Sequence, residues 1–182
     1  MKEIIKIVKA SFPILALTAL ISSVGGVGLQ TLREKLAEII PIAILTPAFI
    51  DMLGDLGSIL SARFSTDLFL GKVNFRQLRA LILKILAVAA ITITYLTGLS
   101  FFLAIGFFGF EFNFIFFLKL LAIAIFVTFF VLAIIFTLGI VGGFAIYRAG
   151  HDPHNYLIPI LTASADLFGL LSLSGLVLMF LY

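Results

Sequence analysis

The chain has 182 residues, of which 63% are hydrophobic and 12% charged; 21 are Phe, none is Cys, and the net charge is +3. A mean hydropathy of +1.29 excludes a soluble globular domain of this size and calls for membrane spans. The small net charge excludes a nucleic-acid footprint, and the lack of Cys excludes disulfides, thiolate ligands and cysteine nucleophiles.

In chain order, Met1 to Ala10 is a short basic amphipathic stretch suited to lie at the membrane interface. Five apolar segments follow, over about 10–32, 39–62, 85–110, 120–147 and 155–181. Each is long enough to cross a hydrocarbon core of ~30 Å at ~1.5 Å per residue. The first is too long for the apolar part of a signal peptide and is kept as a helix. The loops are short, so the whole of 1–182 reads as one all-α, five-helix membrane domain. Lys2, Lys6, Lys9, Arg63, Lys72, Arg76, Arg79, Lys84 and Arg148 fall at one set of ends, against Arg33, Lys35 and Lys119 at the other. The positive-inside rule places the N-terminus in the cytoplasm and the C-terminus outside. The most basic part, about 64–79, reads as a cytoplasmic loop, with Arg63 ending the second segment by snorkelling.

Two segments carry acids at depth. Asp51 and Asp55 interrupt the second segment and Asp166 the fifth. Carboxylates there are costly, so each is a functional hypothesis. Helical spacing collects Pro47, Asp51, Gly54, Asp55, Ser58 and Ala62 on one small, polar face. In the fifth segment the same spacing collects Asn155, Pro159, Thr162, Asp166 and Gly169. The remaining faces, with Phe49, Ile50, Leu53, Leu56, Ile59 and Leu60 in the second segment and Leu157, Ile160, Leu161 and Leu167 in the fifth, read as apolar toward lipid. Asp51 and Asp166 lie ~18 Å and ~15 Å into their segments, so antiparallel helices bring them to one level near the midplane.

Carboxylates, hydroxyls and carbonyls without thiolates suit a hard cation such as Mg²⁺, Ca²⁺ or Mn²⁺. Pro47 and Pro159 each leave a carbonyl without its intrahelical donor. The bland reading is a protonated Asp bonded to a neighbouring helix as structural glue; three acids near one depth with no basic partner make it the weaker one. Other features read as structural. His151-Asp152-Pro153-His154 is a turn and helix start rather than a metal cluster. Gly139, Gly142 and Gly143 serve close packing, and the Phe-rich stretch 101–117 is lipid-facing and interfacial. Neither an intramembrane aspartyl protease nor a CDP-alcohol phosphotransferase fits, because the residues around Asp55, Asp166 and Ala62-Arg63 lack their contexts and spacing.

Pro47-Ala48, Gly54-Asp55-Leu56 and Leu60-Ser61-Ala62-Arg63-Phe64-Ser65-Thr66 resemble the second-helix signature of the MgtE-type magnesium transporters and their animal solute-carrier relatives. Asp152-Pro153-His154-Asn155, Pro159, Thr162 and Asp166 resemble the fifth-helix signature. The resemblance covers nearly the whole chain. It implies a divalent-cation transport domain in the cell membrane, not an enzyme, assembled as a homodimer with the pore between subunits. That pore is lined by the second and fifth helices, with the Asp166 position as the main ion ligand. Asp55, Asp51, Thr162, Ser58, Gly54 and Asn155 complete the expected metal-site residues. The chain departs from the family in having Asp55 where Asn is usual and Asp51 where a small residue is usual. The soluble sensor region of bacterial members is not expected here. Two alternatives stand beside transport by a pore: a Na⁺- or proton-coupled exchanger, and a non-transporting scaffold with Asp-mediated helix packing.

Overall fold

The structure is a computed structural model that describes residues 12–27, 30 and 39–181. It is all-helical over these residues. Helix α1 spans Phe12–Val27, α2 Ile40–Phe69, α3 Phe75–Phe108, α4 Phe114–Arg148 and α5 Pro153–Phe180. The basic stretch 1–10 lies outside the described residues, as do parts of both ends of the first predicted segment.

Helices α2 to α5 are 30, 34, 35 and 28 residues long. At ~1.5 Å per residue each exceeds the ~30 Å hydrocarbon core, and all four are apolar enough to cross it. The described α1 is shorter than a span. Helix starts are set by side chains that satisfy first-turn amides. Asn74 accepts from the Arg76 amide at 3.0 Å, Asn113 from the Phe116 amide at 3.1 Å, and Asp152 from the His154 amide at 3.0 Å. Pro153 follows Asp152 at the first helical position, where its missing N–H costs nothing. The turn and helix start expected at His151-Asp152-Pro153-His154 are thus present.

These caps correct the expected boundaries. The basic stretch taken as a loop over 64–79 is helical except for residues 70–74, and Arg63 lies within α2 with its side chain exposed. Arg76, Arg79 and Lys84 belong to α3. Hydropathy stops where charge begins, but a helix continues past the apolar core until a cap ends it.

Helix α2 is the central element and packs against α3, α4 and α5; α4 also packs against all three, while α3 and α5 do not meet. The core joins Ile42, Leu45, Phe49, Leu53 and Leu60 of α2 to Ala89 and Ile93 of α3, Val131 and Ile135 of α4, and Leu157 and Leu161 of α5. Of the large residues of α2 and α5 expected to face lipid, Phe49, Leu53, Leu56, Leu60, Leu157 and Leu161 face protein instead, whereas Ile59 is exposed. Glycines set the helix spacing. A Cβ on Gly143 would stand 2.7 Å from the Phe64 ring, and one on Gly139 2.8 Å from Leu60. Close approach of this kind takes the place of hydrophobic driving force between helices in lipid. The α3–α4 connection is closed by an aromatic cluster. Phe101, 2% exposed, meets Phe110, Phe112, Phe116 and Phe117 at ring-centroid distances of 5.2 to 6.1 Å. Phe101 is thus a core residue rather than a lipid-facing one, whereas Phe102, Phe107 and Phe108 are exposed.

Candidate ion site between α2 and α5

Helices α2 and α5 run antiparallel in close contact. A Cβ on Gly54 would lie 3.3 Å from the Thr162 methyl, one on Gly57 3.2 Å from Leu161 Cβ, and one on Gly169 2.8 Å from Ile50. This register brings the acid of α5 beside the acids of α2. Between them an open-sided cavity of about 530 Å³ is lined by Asp51, Gly54, Asp55, Ser58, Thr162 and Asp166, with Ala43, Thr46, Pro47, Ile50 and Leu170. Among the described residues, no basic side chain lines it. Asp51 and Asp55 are exposed and Asp166 half-buried.

Six of the seven expected site residues therefore share one cavity. The seventh, Asn155, does not line it. It sits in the first turn of α5, where its Nδ2 donates to Asp152 Oδ2 at 3.3 Å. It keeps the helical stripe of Thr162 and Asp166, but Thr162 is already seven residues, or ~10 Å, further along the axis.

The local chemistry of the lining favours oxygen donation. Thr162 Oγ1 donates to the Ile158 carbonyl at 2.9 Å, which uses its proton and leaves its lone pairs as acceptors. Pro47 has no N–H, so the Ala43 carbonyl one turn earlier lacks its intrahelical donor, and Ala43 lines the same cavity. Ala43 itself escaped sequence reasoning; its signal was the position four residues before Pro47. Among the described residues, no three His, Asp or Glu side chains stand close enough together to hold one ion. The three acids share a cavity without forming a closed cage. One copy thus presents an ion with at most two carboxylates at a time, which suits a cation that keeps much of its water.

A family model described as a divalent cation transporter, MgtE, matches residues 46–176. That range takes in nearly all of α2, the whole of α3 and α4, and α5 as far as Leu176. The chain belongs to the MgtE divalent cation transporter family. No curated protein and no solved structure matches it. Membership of MgtE, a family of transporters, together with four long apolar helices, makes this a multi-pass integral membrane protein. The cavity lies wholly within the matched range apart from Ala43.

Proposed function

We propose that the chain carries Mg²⁺, or a related divalent cation, across the cell membrane through a pore between two copies of itself, lined by α2 and α5. The observation that carries this reading is the single cavity holding Asp51, Asp55 and Asp166 with neutral oxygen donors and, among the described residues, no basic side chain. Membership of the MgtE family supplies the chemical class of the cargo.

Asp166 is the principal ligand, through the ion's retained waters. Asp51 and Asp55 hold negative potential along the path, and Thr162, Ser58 and Gly54 supply neutral oxygens. Asn155 meets the ion nearer the cytoplasmic end, since the basic ends of α2, α3 and α4 face the cytoplasm. Two features support a second copy across the cavity. It is open on one side, and the exposed face of α2, with Ala43, Pro47, Asp51 and Asp55, has no packing partner among the described residues. Facing copies double the carboxylates and supply the charge that one copy lacks. Partial dehydration and mutual repulsion among the acids keep binding weak enough for release.

The test is Mg²⁺ flux into proteoliposomes. Wild type is expected to carry Mg²⁺ down its gradient without Na⁺ or a proton gradient, and Asp166→Ala to lose at least ~90% of that flux, as loss of a half-buried charged ligand costs about 1.5–3 kcal/mol. Equal flux from Asp166→Ala would overturn the assignment. Asp51 and Asp55 favour one second reading, a coupled exchanger, because they add groups able to take up a proton or Na⁺. Uphill Mg²⁺ movement that requires such a gradient would select it.

A further inference from the structure

Helix α1 touches α5 at the level of Asp166. Most of its large side chains are exposed, among them Leu15, Leu17, Leu20 and Val24. Thr18 and Gly25, two turns apart on one face, are buried. Gly25 makes the closest approach: a Cβ there would stand 3.0 Å from the Asp166 carbonyl oxygen, 3.0 Å from Leu167 Cα and 3.3 Å from the Asp166 carbonyl carbon. These are backbone atoms, which cannot swing aside as the end of a side chain can. The side of α5 that faces α2 is also tight. Gly169, one turn beyond Asp166, already packs against Ile50 and Leu53 of α2. A push from α1 therefore has no slack to absorb it, and packed helices pass such displacement on rather than damp it.

We infer that Gly25 is a positioning residue for Asp166: its missing side chain lets α1 act as a backstop that fixes how far the Asp166 backbone stands from the cavity. This rests on the reading of Asp166 as an ion ligand. It reaches further, because it gives α1, which contributes nothing to the described cavity lining, a part in ion affinity.

The next residue supplies a matched control. Among the described residues, nothing stands within 4 Å of the place a Gly26 Cβ would occupy. Ala at either position raises helix propensity by the same amount. Only Gly25→Ala adds an atom against α5, which must then shift by a few tenths of an ångström. Sub-ångström misplacement of a ligating group weakens ion capture without removing the path.

The experiment compares Mg²⁺ concentration dependence of flux, and the rise in melting temperature given by Mn²⁺, in four proteins: wild type, Gly25→Ala, Gly26→Ala and Asp166→Asn. Gly25→Ala is expected to raise the apparent KM by ~5-fold or more with maximal flux within ~2-fold of wild type, and to shrink the Mn²⁺ shift. Gly26→Ala is expected to leave both unchanged. Unchanged KM and Mn²⁺ shift in Gly25→Ala, while Asp166→Asn alters both, would overturn the role of Gly25 alone. If Asp166→Asn alters neither, the reading of the site falls and this inference with it. A Gly25→Ala protein with a lower melting temperature but an intact Mn²⁺ shift would show that the contact is only packing, and that too would overturn it. So would a Gly25→Ala chain that does not fold while Gly26→Ala does.

Discussion

Residue by residue, the acids and the site hydroxyls Ser58 and Thr162 were readable in the sequence, and the hydrogen bonding of the other hydroxyls was not. Asp51 and Asp55 stand four apart, and Thr162 and Asp166 repeat that spacing, so the helical period alone placed them on shared faces. Nothing in the period reveals that the hydroxyls of Ser61 and Ser65, both buried, have no hydrogen-bond partner among the described residues. Most other serine and threonine hydroxyls here return their proton to the carbonyl one turn back, as Thr46, Thr97 and Thr128 do. An unpartnered buried hydroxyl costs about 1–3 kcal/mol. Ser61→Ala or Ser65→Ala is therefore expected to raise stability by ~1 kcal/mol in thermal unfolding, and a loss of that size would show that each serine has a partner after all. Glycines in α4 separate in the same way. Gly143→Ala forces a methyl into the Phe64 ring and should cost ~1–3 kcal/mol. Gly142→Ala makes only an ordinary contact, 3.4 Å from Leu157, and should gain ~0.5–1 kcal/mol from helix propensity. Denaturation in one detergent compares the two directly.

For each helix, existence was legible and orientation only half so. The four long helices announce themselves by apolar length. Which apolar face packs is hidden, because lipid and protein interior are equally apolar and pattern cannot tell them apart. That is why Leu53, Leu56 and Leu60 read as facing lipid yet are buried, and why Phe101 reads as interfacial yet anchors an aromatic cluster. In α2 only the polar stripe gave an absolute direction. The start of α3 was missed for a different reason: Asn74 was readable as a cap, but the charges of Arg76, Arg79 and Lys84 outweighed it in a reading by hydropathy. The joint between elements is best tested at Leu161, fully buried and wedged against the glycines Gly57 of α2 and Gly139 of α4. Leu161→Ala should cost ~2–5 kcal/mol by leaving a cavity where three helices meet. Ile59→Ala, on an exposed position of α2, should change the stability of the isolated chain by under ~0.5 kcal/mol. Equal losses at both would place the helix junction elsewhere.

At the scale of the molecule, Asp51 and Asp55 lie on the face of α2 that the described residues leave open, with Asp166 of α5 beside them. A membrane protein that places carboxylates on an uncovered surface at bilayer depth has to bring water or a partner to them. The proposed meeting of two copies over the cavity would satisfy both needs, because the space it encloses would be lined with oxygen. Light scattering in mild detergent should give a protein mass twice the 19.8 kDa of one chain, and a single-chain mass at all concentrations would remove the shared pore. The most direct measurement is the anomalous scattering of Mn²⁺ soaked into crystals of the protein, since Mn²⁺ stands in for Mg²⁺ and marks its own position. The account predicts a peak between α2 and α5, beside Asp166 and within reach of Thr162, that disappears in Asp166→Ala. A peak elsewhere, or one that survives that substitution unmoved, would contradict it.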